Sequence, residues 1–434
     1  MSKKMFSILI MILLLFILCG TVFAKNTVYT ATSTINDVTV NWEYELNDSN
    51  QIENLKCLNP TDLAGKVLIP PTLDGKTVVS LGDSAFKSAT KITEIAIPTT
   101  VKEIGLRAFL DCTSLAKVNL GTVERINDQS FRNCTALTSI KLPKTLKKDA
   151  SGAPFSGCTN LKNIELEDGM TVVPNYVCAG TPITEITIPS TVKEIGLWAF
   201  SGCTSLAKVN LGTVERINDQ SFRNCTALTS IKLPKTLKED ASGAPFLGCT
   251  NLKNIELEEG MTNVPNYVCA NTPITEITIP NTVKRIGLWT FKNCTSLKKI
   301  TILDNVTDMG GYKSSNTDLM FENHSADLTI YCYKDSMAAN YAIKYNIKYV
   351  YLAKPSKGDD TPSTDDDNNK NNVPVEKPTN STQNTSTNNN QEDNTIATGK
   401  LPKAGNRLVI IIGLILGGGI SIVMYKRYNR YRDI

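Results

Sequence analysis

The sequence predicts a solenoid: a parallel β-sheet along one face, with turns and short helical turns on the other. Three observations carry that prediction. The stretch from Ile92 to Pro182 recurs almost verbatim from Ile183 to Pro273, and its opening returns a third time from Ile274. Within each long block runs a finer repeat of about 22 to 24 residues, a length typical of stacked-repeat architectures. Each fine unit opens with an apolar residue, two variable ones and then alternation, as in Ile92, Ile95 and Ile97 or Leu137, Ile140 and Leu142. Period two is the signature of a strand.

The elements of one unit follow in order. The strand is often ended by a proline (Pro98, Pro143, Pro189, Pro234, Pro280), which lacks an N–H and turns the chain out of the ladder. An Ile-Gly pair comes next at Ile104-Gly105, Ile195-Gly196 and Ile286-Gly287. The unit closes with an Ala-Phe or Ser-Phe pair before a cysteine, as in Phe109 with Cys112, too short for more than a helical turn. One unit buries too few apolar side chains to offset the entropy of ordering its backbone, so the units must stack into one domain. About eleven units between Lys66 and Leu352, at the strand spacing of about 4.8 Å, predict a rod or arc on the order of 50 Å long. The solenoid is expected over residues 66–327, preceded by a capping segment at 25–65, where Val40, Trp42 and Tyr44 alternate as in a hairpin. A C-terminal cap is expected at 328–352.

With these residues in hand, the chain resembles the BspA-like leucine-rich repeat proteins of bacterial surfaces. The resemblance rests on the Ile-Pro after the strand, the Ile-Gly pair, and the AF-x-x-C of Ala108 to Cys112 and Ala199 to Cys203. The segments Leu68 to Phe86 and Leu328 to Tyr349 look like that family's opening and closing units. The resemblance covers roughly Leu46 to Leu352 and implies a leucine-rich repeat solenoid and an adhesive surface role. Two departures stand out: Val177 and Val268 replace the usual Phe, and the period lapses from Asp304 to Ala326.

The ends of the chain speak to location. Residues 1–24 carry Lys3 and Lys4, an apolar run from Ile8 to Leu18 and small residues before Lys25, which reads as a cleaved signal peptide. Residues 353–400 are rich in Asn, Asp, Thr, Ser, Pro and Lys and predict a disordered linker, on average about 40 Å end to end. Residues 401–434 then give Leu401, Pro402, Lys403, Ala404 and Gly405, an apolar run from Leu408 to Met424, and a basic tail with Lys426, Arg427, Arg430 and Arg432. As a helix that run is about 25 Å long, close to the bilayer core, and the basic tail favours the cytoplasmic side. The order resembles a Gram-positive sorting signal. It implies that a sortase-type transpeptidase cuts between Ala404 and Gly405 and joins the chain to peptidoglycan, with Ala404 standing where the commonest motif has Thr. A plain single-span anchor is the alternative.

Catalysis finds little support. The chain has 12 cysteines and one histidine, His324. An imidazole-assisted nucleophile would have to use His324, which lies in the aperiodic stretch FENHSA. Seven cysteines (Cys112, Cys134, Cys158, Cys203, Cys225, Cys249, Cys294) form one register column and read as buried free thiols, since stacked side chains point the same way instead of toward each other. No zinc site or other cofactor is expected. Lysine plus arginine number 46 against 42 acidic residues, a balance that does not suggest nucleic acid.

A solenoid sheet leaves its variable strand residues exposed, at the third and fifth positions of each unit. Among them Glu94, Lys117, Lys141, Glu165, Glu185, Lys208, Lys232 and Glu256 form a face of mixed charge without aromatics, suited to a long polar partner held by many weak contacts. Trp198 and Trp289 replace Arg107 at the same place in the long period, as binding anchors or as packing along the side. The expected function is a wall-anchored adhesin for a host matrix protein, another cell or a glycan. A passive surface element without a receptor is the second expectation.

Overall fold

The structure, a computed structural model, describes residues 27–149, 152–238, 243–310 and 320–354. The expected signal peptide, sorting motif and apolar span, and all but the start of the linker, lie outside these residues.

The repeats build a parallel β-solenoid of about twelve turns. Its main ladder is the one the alternation predicts. Ile92–Ala96 lies between Gly65–Leu68 and Lys117–Asn119, Ser139–Leu142 pairs Asn163–Leu166, and Glu185–Thr187 pairs Lys208–Asn210, all in parallel. The second long block repeats this with Ser230–Leu233 on Asn254–Leu257 and Glu276–Thr278 on Lys299–Thr301. The prolines act as expected: the amide of Val101 donates to the Pro98 carbonyl (3.0 Å) and Leu146 to Pro143 (3.1 Å), closing a turn just past each strand.

Two further ladders complete each turn. Two-residue strands run through the Ile-Gly motif, Glu103–Ile104 pairing Arg125–Ile126 and Val172–Val173 pairing Glu194–Ile195. On the far side the Ala-Phe segment makes short turns, Leu110 donating to the Arg107 carbonyl at 3.1 Å, and also bonds its successor: Arg107, Phe109 and Asp111 donate to the carbonyls of Asp128, Ser130 and Arg132 at 3.1, 2.7 and 2.9 Å. These turns need left-handed backbone at two places each, such as Arg107 (φ 56°) with Asp111 (φ 61°).

Inside, one apolar core runs continuously from Val40 to Ile347. Its spine is a column of stacked phenylalanine rings: Phe86, Phe109, Phe131 and Phe155 lie 5.0 to 5.5 Å apart. Phe200, Phe222 and Phe246 form the second run. The two valines that depart from the family pattern, Val177 and Val268, are buried between such runs.

Both ends of the spine are closed edge-on. At the N-terminus β1 (Tyr29–Ile35) and β2 (Val38–Leu46) form an antiparallel hairpin, and β2 pairs β3 (Ile52–Cys57). The hairpin turn at Asn36 and Asp37 has positive φ at both residues, the demand of a tight two-residue loop. Val40, Trp42 and Tyr44 all point inward, with Trp42 meeting Phe86 edge-on at 6.0 Å. At the other end, α1 (Met337–Lys344) sits between parallel strands Thr329–Cys332 and Lys348–Tyr351, and its Tyr341 meets Phe321 edge-on at 6.0 Å. The described region therefore buries its own core and covers both ends of it.

Candidate functional site

The predicted binding residues fall on one surface. Lys117, Lys141, Glu165, Glu185, Lys208, Lys232 and Glu256 are exposed and Glu94 is half-buried, all on main-ladder strands. Alternation explains this: the residues between them, Ile95, Ile140, Ile164, Ile186, Ile231 and Ile255, are buried. Val118 and Val209 are only partly covered.

The charges on this face are set in pairs across strands. Lys141 meets Glu165 at 2.7 Å, Lys232 meets Glu256 at 2.6 Å, and Lys66 meets Glu94 at 2.9 Å. The hydrogen bond that Lys66 donates holds the Glu94 carboxyl below its ordinary range, and those that Lys141 and Lys232 donate to Glu165 and Glu256 hold the two ammonium groups above theirs. Exposed pairs like these contribute little to stability but fix where charge is displayed. Shallow depressions occur along the face, one of them lined by Asn163, Glu165, Asp168, Glu185 and Thr187 between two main-ladder strands. The expectation of a face without aromatics holds for the repeats but not for the C-terminal cap, where Tyr331 joins the face and Lys299 lies over its ring at 5.3 Å.

Trp198 and Trp289 do not belong to that face. They occupy the left-handed turn position of Arg107, with φ of 52° and 53°, and pack on the tyrosine one turn earlier. Tyr176 meets Trp198 edge-on at 4.8 Å, whereas Tyr267 and Trp289 stack at 5.0 Å. Both tryptophans are half-buried along the side of the solenoid.

The cysteine column is buried and structurally specific. All eleven cysteines among the described residues are free and buried. Each column thiol donates to a backbone carbonyl of the preceding turn: Cys112 to Phe86 (3.1 Å), Cys158 to Phe131 (3.0 Å), Cys203 to Cys178 (3.1 Å) and Cys294 to Cys269 (3.1 Å). Burial pushes the Cys112 thiol up to about 12 and Cys203 and Cys294 to about 11, so these thiols stay protonated and poorly nucleophilic at neutral pH. His324 is half-buried, its Nδ1 2.7 Å from the Ser325 carbonyl. The motif Leu401, Pro402, Lys403, Ala404 and Gly405 lies outside the described residues.

Comparison with known proteins places this architecture. The model of the BspA type leucine rich repeat region matches six times, over residues 79–207, 148–244 and 215–338. No curated protein matches the chain. Among solved structures, a leucine-rich repeat protein from Bacteroides ovatus is 28% identical, covering 72% of this chain and 71% of its own, with a TM-score of 0.42. A leucine rich cell surface protein from Faecalibacterium prausnitzii is 22% identical over 72% of this chain and 97% of its own, with a TM-score of 0.35. The pneumococcal vaccine antigen PcpA is 16% identical over 75% of this chain and 99% of its own, also at 0.35.

Proposed function

This chain belongs to the BspA-type leucine-rich repeat family, and from that premise we propose that it is a bacterial cell-surface protein whose solenoid mediates adhesion. The observation that carries the reading is the main-ladder face: a continuous polar surface, displayed twice over by the near-identical long blocks. Such a face suits a partner that is itself extended, a host matrix protein, the coat of another cell or a glycan, held by many weak contacts whose summed strength exceeds any one. No cofactor or catalytic step enters the proposal, and the cysteines of the described residues are buried and free.

Export and anchoring complete the proposal. The signal peptide at residues 1–24 directs the chain out of the cell, and the linker at 353–400 holds the solenoid off the surface. A sortase-type transpeptidase joins the chain to peptidoglycan through Ala404 after cutting the motif from Leu401 to Gly405. Among the described residues no helix is long and apolar enough to cross a membrane, and the proposed span from Leu408 to Met424 lies outside them.

Fractionation of expressing cells tests the reading. Muramidase digestion should release a chain that ends at Ala404. Retention in the membrane after digestion would instead indicate a plain single-span anchor, and a chain found only in the cytoplasm would refute the surface assignment. The near-identity of the two long blocks favours a second reading, a passive element that gains length and shields the wall; a binding screen separates the two.

A further inference from the structure

The charges along the main-ladder face follow a pattern that fits a second copy of the same chain. Take the midpoint between strands Glu185–Thr187 and Lys208–Asn210, and count strands outward on both sides. The first strands carry Glu185 and Lys208. Next come Glu165 on Asn163–Leu166 and Lys232 on Ser230–Leu233, then Lys141 on Ser139–Leu142 and Glu256 on Asn254–Leu257. Beyond them Lys117 on Lys117–Asn119 answers Glu276 on Glu276–Thr278, and Glu94 on Ile92–Ala96 answers Lys299 on Lys299–Thr301. At every step the two sides carry opposite charge.

We infer that two copies of this chain dock face to face through their main ladders, about a two-fold axis that runs parallel to the strands at this midpoint. Such an axis reverses the order of the strands and keeps each residue's place along its strand. Glu185 then meets the partner's Lys208, and Lys117 meets the partner's Glu276, all third positions of their units. Lys141 meets the partner's Glu256, and Glu165 the partner's Lys232, all fifth positions. At the next step out, Leu68, which is 57% exposed, meets the partner's Tyr331, so the one bare aliphatic side chain of the face meets its aromatic. Moving the axis by one strand sets like charge over like, and moving it two strands toward the C-terminus restores opposite charge for only three couples (Lys232 with Glu256, Lys208 with Glu276, Glu185 with Lys299) instead of five, so the central register is favoured.

Several charges are available for such a contact. Glu185 faces Lys208 in register, as Glu276 faces Lys299, yet neither couple closes an ion pair with each other. Glu185, Lys208 and Glu276 are exposed. About twelve strands by two or three side chains bury roughly 550 Å² per copy, near 1,100 Å² in total and at the low end of specific interfaces. A single contact is therefore weak, and crowding of many copies on facing surfaces multiplies it. The inference deepens the adhesion reading by naming a partner, and rests on it for the setting in which copies meet.

Zero-length carbodiimide cross-linking of the full chain at about 50 mM salt tests the geometry, since charge contacts are then only weakly screened. Lys117 and Glu276 lie seven strands apart, roughly 34 Å within one chain, so a direct link between them has to be intermolecular. The expected product is that link, lost at about 0.5 M salt. Beads carrying the full chain supply a second readout. A variant with Lys117, Lys141, Lys208 and Lys232 all changed to Glu, and one with Glu165, Glu185, Glu256 and Glu276 all changed to Lys, should each fail to cluster alone but cluster when mixed. A wild-type chain that yields no Lys117–Glu276 link and no salt-sensitive clustering overturns the inference and leaves wall attachment untouched. A chain that self-associates yet is never found at the surface refutes only the location.

Discussion

The Cys134 thiol donates a hydrogen bond of 3.3 Å to the carbonyl of Phe109, one turn back in the solenoid. The same bond recurs up the column, from Cys225 to Phe200 at 3.3 Å and from Cys249 to Phe222 at 3.0 Å. The column is thus a ladder of weak donors beside the phenylalanine spine, and cysteine is the small residue that both fills the space and donates. Replacing Cys134 with Ala should cost about 1 to 2 kcal/mol, from the lost bond and the small void. Replacing it with Ser should cost less, because the hydroxyl keeps a donor. Urea denaturation of the two variants checks the order, and a Ser variant weaker than the Ala variant would count against the ladder.

Gly105 leaves no room for a side chain. A Cβ there would lie 2.5 Å from the carbonyl carbon of Gly82, which is backbone and cannot step aside. The Ile-Gly motif is thus a close approach between turns. Gly105→Ala is expected to destabilise the fold by more than about 3 kcal/mol. A thermal melt within a degree or two of wild type would show that the turns can separate enough to admit a methyl group.

Trp198 sits in left-handed backbone (φ 52°), a conformation that bulky side chains adopt at a cost. Its contact with Tyr176 offsets that cost. Asn tolerates the same φ and Val does not, so Trp198→Asn should be less destabilising than Trp198→Val by about 1 kcal/mol. Equal denaturation midpoints would show that backbone strain at this position contributes nothing.

Carboxylates between lysines give the fold an acid limit. Glu124 meets Lys147 at 2.5 Å, and Glu215 meets Lys238 at 2.5 Å and Lys193 at 3.4 Å. Hydrogen bonds from Lys147 and Lys238 hold the two carboxyls below their ordinary range. Burial raises Glu194, but Lys148 and Asn218, each 2.6 Å away, outweigh it and lower its pKa too. Carboxyls lowered by folding stabilise it fully above their unfolded pKa of about 4.3, and that stability is lost as pH falls through the lower folded values. The melting temperature should therefore be level from about pH 7 to 5 and drop below about pH 4. Glu194→Gln should make that drop shallower, and a drop already present between pH 7 and 6 would point to other groups.

Much of this architecture was legible in the sequence because a strand buried on one face writes its alternation into the chain. Ile140 and Leu142 inside, with Ser139 and Lys141 outside, are read directly. The Glu103–Ile104 type of strand was not, since two residues hold no period. Its trace was the Ile-Gly pair, whose glycine marks backbone contact. Helix α1 was missed as well, although Ser336 ahead of an Ala-rich run is a capping signal: its side chain accepts from the Ala339 amide at 3.1 Å. The place of Trp198 and Trp289 on the turn side, and the donor role of the thiols, depend on how successive turns align, which no single unit encodes.

Binding of the repeated face by summed contacts is decided by one comparison. Binding to an array of matrix proteins, glycans and the chain itself is measured for the intact chain and for a version lacking Ile183 to Pro273. Because Ile274 then follows Pro182 just as Ile183 does, the shortened solenoid keeps its register. Saturable binding to at least one surface is expected, weakened but not abolished by the deletion. Absence of binding to every surface, with both proteins folded, would contradict it and leave a passive surface element.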